Sequence, residues 1–175
     1  MKKYMSRKVC DGLSFMTVGL SLPLVFDILI KKYGDENDKI CICDDEPFMA
    51  KEISDHLSRY MEEKQCTAYH ISMFSSGQSL LESSCDFDLI FLDIQMKGLN
   101  GMETAKILRQ QKNHSILVFV TVMKEYVFDA FEVYASDYLI KPLDCEHFRR
   151  TMDRAIHILE QHNRQKYYDQ AWNFL

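Results

Sequence analysis

The chain has 175 residues, 47% of them hydrophobic, with a formal net charge of -5 and a pI near 5.7. That length suits one compact domain with a full hydrophobic core and leaves residues over at the ends. The acidic balance argues against this piece wrapping nucleic acid by itself, because affinity for a phosphate backbone comes from clustered Lys and Arg.

Residues 1–38 do not share the pattern that follows. Lys2, Lys3, Arg7 and Lys8 precede an apolar stretch at 13–30, which superficially resembles a signal peptide or short anchor. Asp27 lies inside that stretch, where a mid-membrane carboxylate costs roughly 2.5–3.5 kcal/mol. Gly19 and Pro23 interrupt it, and no small-x-small cleavage pattern follows. The segment is therefore expected to be a poorly structured extension, or a start assigned too far upstream, with no membrane association.

From residue 39 short apolar runs alternate with amphipathic stretches of helical length. Strands are predicted at 39–43, 68–74, 89–92, 115–120 and 137–140, and helices at 47–64, 77–83, 101–111, 124–133 and 144–162. The first helix opens with Asp45 and an early Pro47, and Phe48, Ile53, Leu57, Tyr60 and Met61 follow at helical spacing. Five βα units with right-handed crossovers make an open, doubly wound α/β parallel sheet covered on both faces. The aromatic-rich end, 163–175, with Tyr167, Tyr168, Trp172 and Phe174, reads as a linker or the start of an output domain.

Parallel strands bring their carboxyl ends to one edge, where this class of sheet places its ligands. Asp44 and Asp45 follow the first strand, Asp93 the third and Lys141 the fifth, while Thr121 ends the fourth. Carboxylates gathered this way repel one another unless a hard divalent cation takes their charge, and Mg²⁺ suits a few carboxylates, a carbonyl and a phosphate oxygen. Asp93 is the expected nucleophile, with the backbone carbonyl of Gln95 as a further metal ligand. Thr121 and Lys141 are placed to hold phosphoryl oxygens. Taken singly, an Asp at a strand end is a turn or cap, Thr121 a strand residue and Lys141-Pro142 a turn. The ordered set is harder to explain that way.

The sequences Cys43-Asp44-Asp45-Glu46-Pro47, Phe91-Leu92-Asp93-Ile94-Gln95-Met96, Gly101, Val120-Thr121 and Ala135-Ser136-Asp137-Tyr138-Leu139-Ile140-Lys141-Pro142 resemble the receiver domain of bacterial two-component response regulators. The resemblance spans about 39–161, and its Ile42-to-Pro47 and Phe119-Val120-Thr121 wording is similar to receivers that precede a LytTR-type DNA-binding domain. It implies a flavodoxin-like (βα)5 fold of strand order 2-1-3-4-5 over 39–162. Asp93 is implied as the phosphoacceptor, Asp44 and Asp45 as Mg²⁺ ligands, Thr121 and Lys141 as phosphoryl contacts, and Thr121 with Tyr138 as the switch. Two departures stand out: Lys97 replaces a frequent proline, and Val122 follows Thr121 where a small residue is usual.

The resemblance further implies a cytoplasmic protein that accepts a phosphoryl group from a sensor histidine kinase. It would dimerise when phosphorylated and reach DNA only through an output domain absent from this chain. Tyr126, Phe131 and Tyr134 are the expected output surface. No enzyme activity is expected beyond its own phosphorylation and slow dephosphorylation. A stand-alone receiver acting through protein contacts is an alternative. A hydrolase with an aspartyl-phosphate intermediate is disfavoured, since Gln95 stands where such phosphatases want a second acid. The six cysteines contain no C-x-x-C pair, and the six histidines are scattered without metal-ligand spacing. Both sets read as core, surface or helix-face residues of a reducing compartment.

Overall fold

The computed structural model describes residues 38–172, with side chains as far as Asn163; the expectation for residues 1–37 lies outside these. Residues 37–162 form one compact unit. Its strands are β1 (Asp38–Cys43), β2 (Tyr69–Phe74), β3 (Leu89–Leu92), β4 (Ile116–Thr121) and β5 (Asp137–Ile140). The helices are α1 (Pro47–Glu63), α2 (Gly77–Glu82), α3 (Gly101–Gln110), α4 (Asp129–Glu132) and α5 (Cys145–Trp172). All strand pairs are parallel and the order is β2-β1-β3-β4-β5, the doubly wound arrangement expected.

Side chains alternate across each strand, so the sheet divides the core in two. Ile40, Ile42, Phe91, Val118 and Val120 face one side, where Ile53, Leu57 and Met61 of α1 and Phe148, Met152 and Leu159 of α5 cover them. Phe91 and Phe148 stack with centroids 5.7 Å apart, and burying each ring contributes about 1.5–3 kcal/mol. Cys41, Cys43, Ile90, Leu92 and Phe119 face the other side, against Leu80, Met102, Ala105, Leu108, Ala130 and Val133. This explains why β3 and β4 read as unbroken apolar runs: every residue of both strands is buried.

Local signals set the helix starts. Ser76 caps α2 by accepting from the Ser79 N–H. Asn100 and Glu103 form a reciprocal capping box at α3. Pro47 occupies the first turn of α1, but the N-cap is Glu46 and its side chain makes no cap bond. The acids ahead of Pro47 are used at the sheet edge instead.

The helix expected over 124–133 is broken. Glu125–Val127 forms a 3-10 turn, and α4 keeps only four residues before Tyr134 turns to a φ of 51°. No side-chain cap bond starts either piece. The run is rich in aromatic and β-branched residues, and so short a segment gains little from cooperative helix formation.

Candidate phosphoryl and metal site

Asp44 follows β1, Asp93 follows β3, Thr121 ends β4 and Lys141 follows β5, so one sheet edge gathers groups from four strands. Single ligand oxygens of Asp44, Asp45 and Asp93 all lie within 4.8 Å of one another. Asp44, Asp93 and Thr121 are buried, and Asp45 is half-buried. Lys141 bridges two of the carboxylates, its Nζ 2.7 Å from Asp44 Oδ2 and 3.4 Å from Asp93 Oδ2. Asp44 Oδ1 accepts from the Glu46 N–H at 3.0 Å. Burial pushes the Asp44 carboxyl up, a shift that Lys141 and the Glu46 N–H partly oppose.

The oxygen Asp93 Oδ1 is buried and has no hydrogen-bond partner. A buried charged acceptor left unmatched costs energy, and a cation or an incoming electrophile removes that cost. The residues therefore fit a hard divalent ion: a set of carboxylates, one with a free oxygen, beside a solvent-facing loop in which Gln95 is exposed.

The loop after β3 is fixed by its backbone. The Asp93 N–H donates to Cys43 O at 2.9 Å, and the Gly101 N–H donates to Ile94 O at 3.0 Å. A Cβ at Gly101 would lie 1.9 Å from Asp93 O, so only glycine lets α3 start against this peptide. The Lys97 N–H donates to Asp45 Oδ2 at 3.2 Å. That tie was not legible in the sequence, since backbone made it and a proline, common at this position in similar receivers, has no N–H to give. Cys43 donates its thiol to Met96 Sδ at 3.6 Å; burial and then Asp44 and Asp93 push that thiol up to about 12, so it stays protonated.

A second backbone unit joins Thr121 to Tyr138. The Met123 N–H donates to Thr121 Oγ1 at 3.3 Å, and Tyr138 Oη donates to Met123 O at 2.5 Å. Tyr138 is half-buried with its ring 5.9 Å from that of Phe119, and burial, with Glu125 and Asp93, pushes its hydroxyl up to about 12. The ring thus packs toward the core.

In and around α4 the expected output residues separate. Phe131 and Tyr134 are 71% and 81% exposed, whereas Tyr126 is half-buried against the core cluster around Phe119. Phe128, 82% exposed, joins the exposed pair. Val122 is also exposed, which leaves its side chain at the rim of the edge and not in the core.

The model of the response regulator receiver domain matches residues 40–153. The sensory transduction protein LytT of Bacillus cereus is 34% identical over 116 residues, covering 66% of this chain and 46% of that protein. The chain spans about half the length of the curated relatives it matches. Among solved structures, the response regulatory domain of mrkE from Klebsiella pneumoniae is 26% identical with a TM-score of 0.61, covering 70% of this chain and 98% of that one. The response regulator TrrA of Thermotoga maritima, in complex with Mg²⁺ and a beryllium fluoride, is 26% identical with a TM-score of 0.54, covering 67% and 98%. No helix among the described residues is long and apolar enough to cross a membrane. With the fold, the edge of the sheet and the family match in agreement, the chain belongs to the response regulator receiver domain family.

Proposed function

We propose that Asp93 is the phosphoacceptor of a two-component signalling pathway and that a sensor histidine kinase supplies the phosphoryl group. A carboxylate oxygen of Asp93 attacks the phosphorus of the phosphohistidine, a P–O bond forms as the P–N bond breaks, and the imidazole leaves. The observation that carries this reading is the unmatched, buried Asp93 Oδ1 beside a carboxylate cluster, with Lys141 on the other oxygen. Asp44, Asp45 and the Gln95 carbonyl would hold Mg²⁺ together with Asp93. When bound, the ion neutralises phosphoryl and carboxylate charge that would otherwise repel. The Mg²⁺ complex of the similar TrrA supports this assignment.

Lys141 and Thr121 hold phosphoryl oxygens, and Thr121 carries the change through the Met123 peptide to Tyr138. The readout is a reshaped α4–β5–α5 face on which Phe131 and Tyr134 meet a second copy. The chain performs no chemistry beyond its own phosphorylation and slow dephosphorylation. It acts in the cytoplasm, and control of transcription runs through an output domain of the LytTR type, in keeping with the similarity to LytT and the share of LytT that is matched.

The test is mass spectrometry after incubation with acetyl phosphate and Mg²⁺. The expected product is one acyl-phosphate on Asp93, labile to hydroxylamine. Absence of that adduct, or its appearance on another residue, overturns the reading.

A further inference from the structure

At the opposite edge of the sheet, the amino ends of β4 and β5 meet the last turn of α3 and the α5 residues Ile158 and His162 around a cleft of about 330 Å³. Among the described residues its walls carry Arg109, His114 and His162 but no Asp or Glu, in a chain of net charge -5. Arg109 is half-buried and donates to Val133 O and Asn113 O, each at 2.8 Å, and to Tyr134 O at 3.5 Å. Those bonds leave two of the five guanidinium N–H groups unspent. Burial lowers the Arg109 pKa, and no carboxylate among the described residues offsets this. A second, independent observation lies beside it: Ser115, 7% exposed, has a buried hydroxyl with no hydrogen-bond partner. A cation without a counter-charge and a hydroxyl without a partner are the groups an anion satisfies. Ile116, Ile158 and Tyr134 supply an apolar part of the lining, and Asn113 and Ser136 complete it.

We propose that this cleft binds a small organic anion, a carboxylate on an aliphatic or aromatic body. The charged end faces Arg109, His114 and His162, and the body lies over Ile116, Ile158 and Tyr134. The site uses none of the groups near Asp93, so it can be filled in the unphosphorylated chain. It touches the segment between α4 and β5, through the two carbonyls that Arg109 holds there, and so places a metabolite-sized ligand against the element that carries Tyr134.

The experiment is an amide NMR titration of the full chain with benzoate, and separately with benzyl alcohol and orthophosphate. Benzoate is expected to shift residues 113–116 and 134–136 saturably in the millimolar range, equally in wild type and Asp93→Asn. Benzyl alcohol, lacking the charge, should not saturate. The double variant His114→Gln, His162→Gln should weaken benzoate about ten-fold. Ser115→Ala should weaken it several-fold with a melting temperature no lower than that of wild type, since the hydroxyl has no partner to lose. Failure of benzoate to saturate, equal binding of benzyl alcohol, binding of orthophosphate alone, or variants that bind benzoate as wild type does would each overturn the proposal. Loss of binding in Asp93→Asn would place the effect at the phosphoryl site and overturn it as well.

Discussion

Lys141 Nζ sits 3.4 Å from Oδ2 of Asp93 while the other oxygen of that carboxylate, Oδ1, is buried and unmatched. The two ends of one carboxylate are thus in different environments: one is held by a cation and the other is free to react. Asp93→Asn keeps shape and polarity and removes the nucleophile, so the acyl-phosphate should vanish. Because the variant also removes one of three clustered charges, it should be more stable than wild type without Mg²⁺, by about 1 kcal/mol. Thermal unfolding in EDTA checks the second half, and a less stable variant would contradict the charge argument.

Metal should stabilise the fold through the same cluster. Burial already raises the Asp44 carboxyl, so its ionised form is a cost that a cation offsets. At Mg²⁺ one hundred-fold above its dissociation constant the gain is about 2.7 kcal/mol. Asp45→Asn should lose most of that gain while labelling slows and needs more Mg²⁺. A melting temperature of Asp45→Asn that rises with Mg²⁺ as in wild type would remove Asp45 from the ligand set.

Lys97→Pro separates backbone from side chain. It deletes the N–H that holds Asp45 Oδ2, a bond worth about 0.5–1.5 kcal/mol, and should weaken Mg²⁺ binding by about three- to ten-fold. Lys97→Ala keeps the N–H and should change little at physiological salt. Calorimetric titration distinguishes the two. Equal losses would assign the effect to the ammonium.

Val122 is exposed directly after Thr121, so its methyl groups stand in solvent at the rim of the edge. Val122→Ala should leave stability within about 0.5 kcal/mol of wild type. It should also speed loss of the phosphoryl group by about ten-fold, as water gains an in-line path. Decay after donor removal is the measurement, and an unchanged half-life would sink the idea.

Acid should find a different group. Burial alone would raise Asp137, but the Thr151 hydroxyl, the Tyr138 N–H and the Arg154 guanidinium outweigh it and hold the carboxyl below its ordinary value of 3.8. Its folded-state pKa is depressed, so the stability it contributes is fully present above 3.8 and is lost as pH falls from there through the folded value. Asp137→Asn should cost about 1–3 kcal/mol at neutral pH and flatten the acid limb of a urea-denaturation series. An unchanged limb would exclude Asp137 as a source of it.

Much of this molecule was legible because two periodicities differ. β3 and β4 announce themselves as unbroken apolar runs, and α1 as a stripe from Ile53 to Met61. Strand ends then located Asp44, Asp93, Thr121 and Lys141 without reference to side-chain geometry. What stayed hidden was carried by main chain or decided by tertiary contact. The Lys97 and Met123 peptides bond through atoms every residue possesses. Tyr126 and Phe131 are both aromatic, yet one packs toward Phe119 and the other faces solvent. The break within 124–133 depends on missing caps, and an absent cap is a weaker signal than a present one.

The close seat of α3 on the Asp93 peptide makes Gly101 a place where heredity is unforgiving for a reason unrelated to reactivity. Even alanine, a single methyl, has to displace the loop that carries Asp93. On the proposed reading, a clone carrying that change would keep every reactive group and yet take up little of the phosphoryl group. In a screen it would be grouped with Asp93 variants by phenotype, and only a structure of the variant, with Asp93 swung from the edge, would tell a misaimed acceptor from a missing one.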